Sequence, residues 1–362
     1  MTRSQRDQRV VIYLLSLSGG AGKATVQYAN ILAHLGYSVS LVFGTSDAVL
    51  RARLDRSINI RWLGVGRSLR AIPGLFVTLL CVRPHKALII GVSNVLPFTI
   101  ARLCSGIECS MILREANSPD ELYRAVPLWK RAPKFLAMKA AYRRASYIIA
   151  LSHRMAAELQ EGWVPYREKV VYIPNGVELP RDADWLPRPS SRDVICCVAR
   201  LTPQKDVPTL LRAFAIVRSK RKCKLLIAGE GREHGALVQL TRELGLSAEV
   251  RFLGHVPSPS EIYKASSLTV LSSLYEGFPN TLIESLAHGC PVVSTDCPTG
   301  PSEIINSEKV GLLAEVSNAD DLAEKILIAL DTSYRIEDLL ARASEFSIDN
   351  ANKKISSLFG DV

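Results

Sequence analysis

Short apolar runs alternate with amphipathic stretches along nearly all of the 362 residues. Such runs predict buried strands, and apolar positions at three- and four-residue spacing predict helix faces. Residues 10–15 form a first strand, and residues 38–43 a second. Between them lie a glycine loop at 16–22, a helical pattern at 23–35 and Gly36, which closes that helix. Further strands are predicted at 58–63, 87–90, 110–113, 147–151 and 170–173. Helices are predicted at 69–82, 95–104, 129–144 and 153–161. The stretch 179–192 breaks the pattern with three prolines and no apolar period. The alternation then restarts, with strands at 193–198, 224–228, 249–253, 268–271, 291–295 and 311–315. Helices at 207–219, 260–265, 281–288 and 320–330 and two closing helices complete it, and 229–231 opens a further one.

Strand–helix alternation of this kind builds parallel sheets covered on both faces. The expected fold is α/β, with two Rossmann-like doubly wound domains facing across a cleft. Residues 1–180 form the first domain, 181–192 the linker, 193–345 the second domain, and 346–362 a helix crossing back to the first. Ligands in such sheets bind beyond the carboxyl ends of the strands, so residues just after strands are the candidates for chemistry.

The stretch 274–305, LYEGFPNTLIESLAHGCPVVSTDCPTGPSEII, offers the densest set. Asn280 is the expected N-cap of a short helix, and Gly289 its left-handed close. Glu276 precedes that helix start and Glu284 lies one turn inside it. Backbone N–H groups of 280–282, left free between them, would attract phosphate. Carboxylates on either side would accept hydrogen bonds from sugar hydroxyls. Isolated Glu residues are usually plain surface charges, so this pocket depends on its context. Arg200 and Lys205, after the strand at 193–198, supply cations at the same kind of edge. In the first half, Glu115 and Asn117 follow the strand at 110–113 and would face a substrate there, or merely cap a helix.

Two other glycine patterns carry little. Gly22-Lys23 suggests a phosphate loop, but Leu17 stands where its first glycine belongs and Ala24 where its magnesium-binding hydroxyl belongs. Gly229-Glu230-Gly231 lacks the third glycine of a dinucleotide fingerprint. The eight cysteines form no Cys-x-x-Cys pair, as expected of reduced thiols in a cytosolic protein. No apolar run is long enough to span a bilayer; the longest, 87–104, is interrupted by Gly91, Asn94, Pro97 and Arg102.

Charge is uneven. Residues 1–180 hold 24 Lys or Arg against 11 Asp or Glu, a net +13, whereas the remainder is near neutral. The helix at 129–144 interleaves cations with Trp, Phe, Leu and Met. That helix is either partly buried with a solvated basic face or a lipid-touching surface; the net +13 favours the second, so an anionic membrane surface is the expected partner of this basic first domain. No DNA- or RNA-binding motif accompanies the charge, so nucleic acid is not expected.

Taken in order, Val198-Ala-Arg-Leu…Lys205-Asp, Leu226-Ile-Ala-Gly-Glu-Gly, Arg251-Phe-Leu-Gly-His-Val and Glu276-Gly-Phe-Pro-Asn-Thr-Leu-Ile-Glu284 resemble the retaining GT-B glycosyltransferases of glycosyltransferase family 4. The last piece matches that family's Glu-x7-Glu signature. The ending at 296–304 resembles members that build lipid-linked oligosaccharides or surface polysaccharides. The resemblance implies a UDP-sugar donor, a lipid-linked glycan acceptor, no cofactor and no metal. It implies that Arg200 and Lys205 hold the donor diphosphate and that Glu276 lies by the sugar hydroxyls, these three being the catalytic set. Glu284 would bind the ribose. Backbone at Phe278, Pro279, Asn280 and Thr281 would meet sugar and phosphate, and backbone at His255 and Val256 the base. Gly19 and Gly20 match the glycine loop that closes on the donor phosphate, although the family's Gly-Gly-Ala-Glu-Arg reads Gly-Gly-Ala-Gly-Lys here. The expected location is cytoplasmic, peripheral at the inner face of the membrane. A nucleotide-sugar epimerase and a non-catalytic glycan- or lipid-binding subunit are the competing readings.

Overall fold

The computed structural model describes residues 8–46, 48–124, 126–180 and 194–360. The chain forms two compact units. One takes residues up to Asn175 and again from Asp349 onward; the other takes Gly176–Ile348. The linker expected at 181–192 lies outside the described residues.

The first unit is a seven-stranded parallel sheet in the order β3-β2-β1-β4-β5-β6-β7. Its elements are β1 (Arg9–Leu17), α1 (Gly19–His34), β2 (Ser38–Ser46), α2 (Ala48–Ala52) and β3 (Asn59–Trp62), then α3 (Ile72–Val82), β4 (Lys86–Ile90), α4 (Val95–Ser105) and β5 (Ser110–Arg114). Next come α5 (Pro119–Arg124), α6 (Leu128–Arg144), β6 (Tyr147–Ala150), α7 (His153–Glu158) and β7 (Val170–Tyr172). β4 is buried along its whole length, as a strand covered on both faces must be.

The second unit is a six-stranded parallel sheet in the order β10-β9-β8-β11-β12-β13. It runs through β8 (Val194–Val198), α8 (Val207–Lys220), β9 (Lys224–Ala228), α9 (His234–Glu243), β10 (Val250–Gly254), α10 (Ser260–Ala265) and β11 (Leu268–Leu271). It continues with α11 (Asn280–Ala287), β12 (Val292–Thr295), α12 (Pro301–Ile304), β13 (Gly311–Ala314), α13 (Ala319–Asp331) and α14 (Ile336–Glu345). The core on one side of this sheet is Leu, Ile, Val and Phe from α8 and α13 packed on β8, β9 and β11.

Several boundaries differ from the sequence pattern for local reasons. The glycine loop expected at 16–22 shrinks to Ser18, because Ser16 and Leu17 stay in register with Thr45 and Ser46 of β2. Gly19 then turns the chain at a φ of +58°, an angle glycine adopts without strain, and α1 starts there. The helix expected at 69–82 divides into a 3-10 turn, Ser68–Ala71, and α3. Pro73 sits in the first turn of α3, the one helical stretch where a missing N–H is harmless. The helix expected to open at 229–231 starts only at His234.

The final helix, α15 (Ile348–Gly360), belongs from Asp349 onward to the first unit. Its Phe359 is fully buried and meets Tyr37 edge-on, with ring centroids 6.3 Å apart. The Phe359 carbonyl accepts hydrogen bonds from the Tyr37 hydroxyl and the Lys86 amine, both at 2.7 Å. Lys86 is itself buried, and burial pushes its pKa down. A buried ammonium needs such an acceptor. Phe359→Ala should therefore destabilise the first unit by about 3–5 kcal/mol, measured as an earlier first transition in urea unfolding; an unchanged transition would show that α15 contributes no core.

Candidate functional site

Each sheet reverses its strand order once, and in the second unit that point lies between β8 and β11. Loops leaving the carboxyl ends of strands at such a point diverge and leave a crevice. The loop after β8 carries Arg200 and Lys205, and the loop after β11 carries Glu276. The structure brings Lys205 and Glu276 into a direct ion pair from Nζ to Oε1, with the two side chains 13% and 6% exposed. Ser273 Oγ donates to the same carboxylate oxygen at 2.6 Å.

Backbone ties hold the two loops together. Leu274 N–H donates to Gln204 O, and Gln204 Nε2 to Tyr275 O, both at 2.8 Å. Ser272 Oγ donates to the carbonyls of Lys205 and Asp206 at 2.9 and 3.0 Å. The end of β12 and the loop after it join them, through Thr295 Oγ1 to Ser273 O at 2.6 Å and Thr299 Oγ1 to Glu276 O. Sequence reading missed Ser273, Thr295 and Thr299. Their only signal was small hydroxyl residues at the ends of two apolar runs.

Lys205 is thus not an idle cation waiting for phosphate: it already neutralises a buried carboxylate. Arg200 is exposed, and its side chain has no hydrogen-bond or ion-pair partner among the described residues. It is the cation of the expected pair that stands open to a ligand.

The helix start also departs from expectation. Pro279, not Asn280, occupies the cap position, and Asn280 is the first residue of α11. The N–H groups of Asn280 and Leu282 donate to Phe278 O and Pro279 O, both at 3.0 Å, so the row of three free donors expected at 280–282 is already partly engaged. Phe278 is buried, with its ring 5.5 Å from that of Phe346, which leaves its backbone as the part near the loop. Thr281 Oγ1 donates to Val198 O at 3.0 Å, pinning α11 to the end of β8. Glu284 is half-buried and accepts from the Tyr263 hydroxyl at 3.2 Å. The His255 N–H donates to Glu230 Oε1 at 3.2 Å, His255 being exposed and Val256 half-buried. The Tyr263 and Glu230 contacts have no signature in the local sequence pattern.

Two glycines let β9 approach the Arg200 loop. A Cβ on Gly229 would sit 1.8 Å from Ala199 O, and one on Gly231 would sit 2.1 Å from Leu201 O. Both contacts are with backbone, so no side chain can rotate away to make room.

In the first unit, Arg114 and Glu115 at the end of β5 are fully buried. Glu115 accepts from the Tyr142 hydroxyl at 3.0 Å, and Arg114 donates to Asn175 Oδ1. Glu115 therefore does not face a substrate as expected; it lies beneath the sheet edge, while Asn117 is half-buried. Burial pushes the Glu115 pKa from its ordinary 4.5 up to about 7, against the opposing hydrogen bond from Tyr142. Gly19 and Gly20 open α1 in this unit. The described residues hold no group of three or more His, Cys, Asp or Glu placed to bind an ion.

Residues 19–176 match the family described as "Glycosyl transferase 4-like domain", and residues 181–346 match "Glycosyl transferases group 1". Each half of the chain carries a glycosyltransferase family domain. An uncharacterised glycosyltransferase of Methanocaldococcus jannaschii is 33% identical over 65% of this chain and 63% of its own length. The N-acetylgalactosamine-N,N'-diacetylbacillosaminyl-diphospho-undecaprenol 4-alpha-N-acetylgalactosaminyltransferase of Campylobacter jejuni is 29% identical over 62% of each chain. The chain thus spans about three-fifths of the length of these relatives. A solved structure of the Anabaena protein HepE in complex with UDP and glucose superposes with a TM-score of 0.81 over 98% of this chain and all of that one, at 17% identity. That likeness shows the fold: two parallel-sheet, Rossmann-like domains of the GT-B class.

Two predictions follow from these sites. Lys205→Ala leaves Glu276 buried without its counter-charge, which costs about 3–5 kcal/mol, whereas Arg200→Ala removes an exposed side chain and should leave the melting temperature nearly unchanged. Thermal unfolding of both variants checks this, and equal stability losses would contradict it. For Glu115, an acid held at a raised pKa stabilises the fold below its unfolded value and loses that contribution as pH rises through the folded one. Stability of the first unit should fall between pH 4.5 and 7, by up to about 3 kcal/mol. Glu115→Gln should flatten that fall in urea titrations followed by tryptophan fluorescence.

Proposed function

We propose that the protein transfers a sugar from a UDP-sugar donor to a hydroxyl of a lipid-linked glycan, with the anomeric configuration retained, in oligosaccharide or polysaccharide biosynthesis. The sugar is an N-acetylhexosamine or galactose. The observation that carries this reading is the Lys205–Glu276 pair at the strand-order reversal of the second unit, with Arg200 on the same loop as Lys205, exposed and without a side-chain partner among the described residues. Two features of known proteins support it. The Campylobacter relative's name specifies a diphospho-undecaprenol glycan as its acceptor. The Anabaena structure holds UDP and glucose.

In this reading the bond from the anomeric carbon to the diphosphate oxygen breaks, and its electron pair leaves with the diphosphate. Arg200 and Lys205 stabilise the departing charge; losing one such electrostatic partner typically costs about 3–4 kcal/mol of barrier. The acceptor oxygen bonds to the same face of the sugar, and its proton passes to the leaving phosphate oxygen. Glu276 positions sugar hydroxyls. Its carboxylate is held by Lys205 and Ser273, which suits a positioning group better than a nucleophile. Glu284 binds the ribose, and the backbone at 278–281 and 255–256 meets the remainder of the donor. Asn117 stands on the acceptor side. The chemistry needs no metal, and the protein works at the cytoplasmic face of a membrane. Among the described residues no helix is long and apolar enough to cross one.

Thermal-shift measurement in EDTA, with UDP-, GDP- and ADP-sugars, tests the donor site. A UDP-sugar at a hundred times its dissociation constant should add about 2.7 kcal/mol, and Arg200→Ala should remove most of that gain. Stabilisation by GDP- or ADP-sugars alone, or only after magnesium is restored, would refute the proposal.

A further inference from the structure

The outer surface of the first unit is unusual for a doubly wound domain. Fifteen large hydrophobic side chains are exposed among the described residues, and twelve of them lie in the first unit. The second unit, built on a sheet of the same kind, leaves three. Size and fold class therefore do not account for the excess.

Seven of the twelve sit on three helices. Val77 and Leu80 project from α3, Leu96 and Leu103 from α4, and Leu128, Trp129 and Leu136 from α6. Helix α3 packs along α4, and α4 touches α6, so the apolar positions belong to neighbouring elements. On α6 the exposed pairs 128–129, 132–133 and 136–137 recur every four residues and read Leu-Trp, Ala-Pro and Leu-Ala. They form one stripe on the side facing solvent. An ordinary surface helix is polar there.

Helix α6 is firmly seated from the other side. Its Phe135 lies 5.2 Å from Trp163 and 5.8 Å from Tyr123, ring to ring, and Tyr142 lies 6.0 Å from Trp163. The outward stripe is therefore a fixed feature of the helix. Leu128, Trp129 and Leu136 are 77%, 75% and 67% exposed.

Charge decides what kind of partner fits. None of the three helices carries an Asp or Glu, and α6 alone carries six Lys or Arg. Arg143 and Arg144 continue the exposed face of α6 beyond the apolar stripe. A surface with an apolar stripe and cations at the end of it complements an anionic lipid monolayer: Leu and Trp enter the headgroup–acyl boundary and Arg meets lipid phosphate. We infer that α3, α4 and α6 form a docking face that lies on anionic lipid bilayers and inserts Leu128, Trp129 and Leu136. This deepens the lipid-linked-acceptor reading and rests on it for its use, since a docked enzyme meets an acceptor confined to the same bilayer.

Flotation of the full chain with vesicles tests the face. Wild-type protein should float with phosphatidylcholine–phosphatidylglycerol vesicles and much less with phosphatidylcholine alone. The triple variant Leu128→Ser, Trp129→Ser, Leu136→Ser should lose binding by about tenfold or more, while keeping its melting temperature and its stabilisation by UDP. Arg143→Ser with Arg144→Ser should weaken binding at low salt and make little difference at high salt. Failure of the wild type to bind anionic vesicles, or full binding by the triple variant, would overturn the docking face without touching the donor site. A wild-type dimer that the triple variant converts to monomer, with no vesicle binding, would assign the face to a second copy and equally overturn the lipid partner. Vesicle binding without any response to UDP would instead overturn the donor reading alone.

Discussion

The second unit depends on keeping one positive and one negative charge together out of water. Lys205 and Glu276 come from loops about seventy residues apart in the chain. Two ionised groups this far from solvent are tolerable only as a pair. The pair therefore fixes the spacing of the loops after β8 and β11, and the surrounding hydroxyls follow from it. Ser273 takes up further bonding capacity of the Glu276 carboxylate, and Ser272 satisfies carbonyls on the Lys205 loop. Thr299 holds the Glu276 backbone. The loops after β8 and β11 are thereby held with little left to rearrange.

The first unit uses the same sheet plan but treats the corresponding edge differently. At the end of β5 it buries Arg114 and Glu115 and secures them through Asn175 and Tyr142. Arg114 Nε and Nη1 and Glu115 Oε2 have no hydrogen-bond partner among the described residues. Buried groups in that condition are costly, whereas the second unit leaves its candidate edge better satisfied. The two halves thus share architecture without sharing chemistry, and the first directs its unusual surface outward, onto α3, α4 and α6.

Periodicity made the architecture readable. The central strands of both sheets coincide with apolar runs, because parallel strands buried on both faces cannot hide their composition; the edge strand β3, Asn-Ile-Arg-Trp, is mostly exposed and half polar. The motif from Glu276 to Glu284 made the family readable. What escaped notice was local and three-dimensional. That Lys205 would pair with Glu276 could not be seen from positions 205 and 276, since each fits a phosphate or sugar role equally well alone. Glu115 followed a strand and so was placed at a ligand edge. The hydroxyl of Tyr142, on α6, donates to it, and no local pattern announces a contact made by a helix so far along the chain. Pro279 displaced Asn280 from the cap because the bend that carries Phe278 into the core starts one residue earlier than capping preferences imply.

The position of α15 has a consequence for biosynthesis. Topologically the second unit is an insertion within the first. Its entry and exit segments run side by side, with Val177 N–H donating to Phe346 O at 2.9 Å and Ile348 N–H to Val177 O at 3.0 Å. Domains usually fold in the order in which the ribosome delivers them. Here the domain begun first is completed last. The acceptor for the buried Lys86 amine emerges 273 residues after Lys86 itself, when the inserted domain has already been synthesised. Until α15 is made, the nascent first domain holds a core cation without its partner, so the core around Lys86 waits on a segment that follows the whole inserted unit.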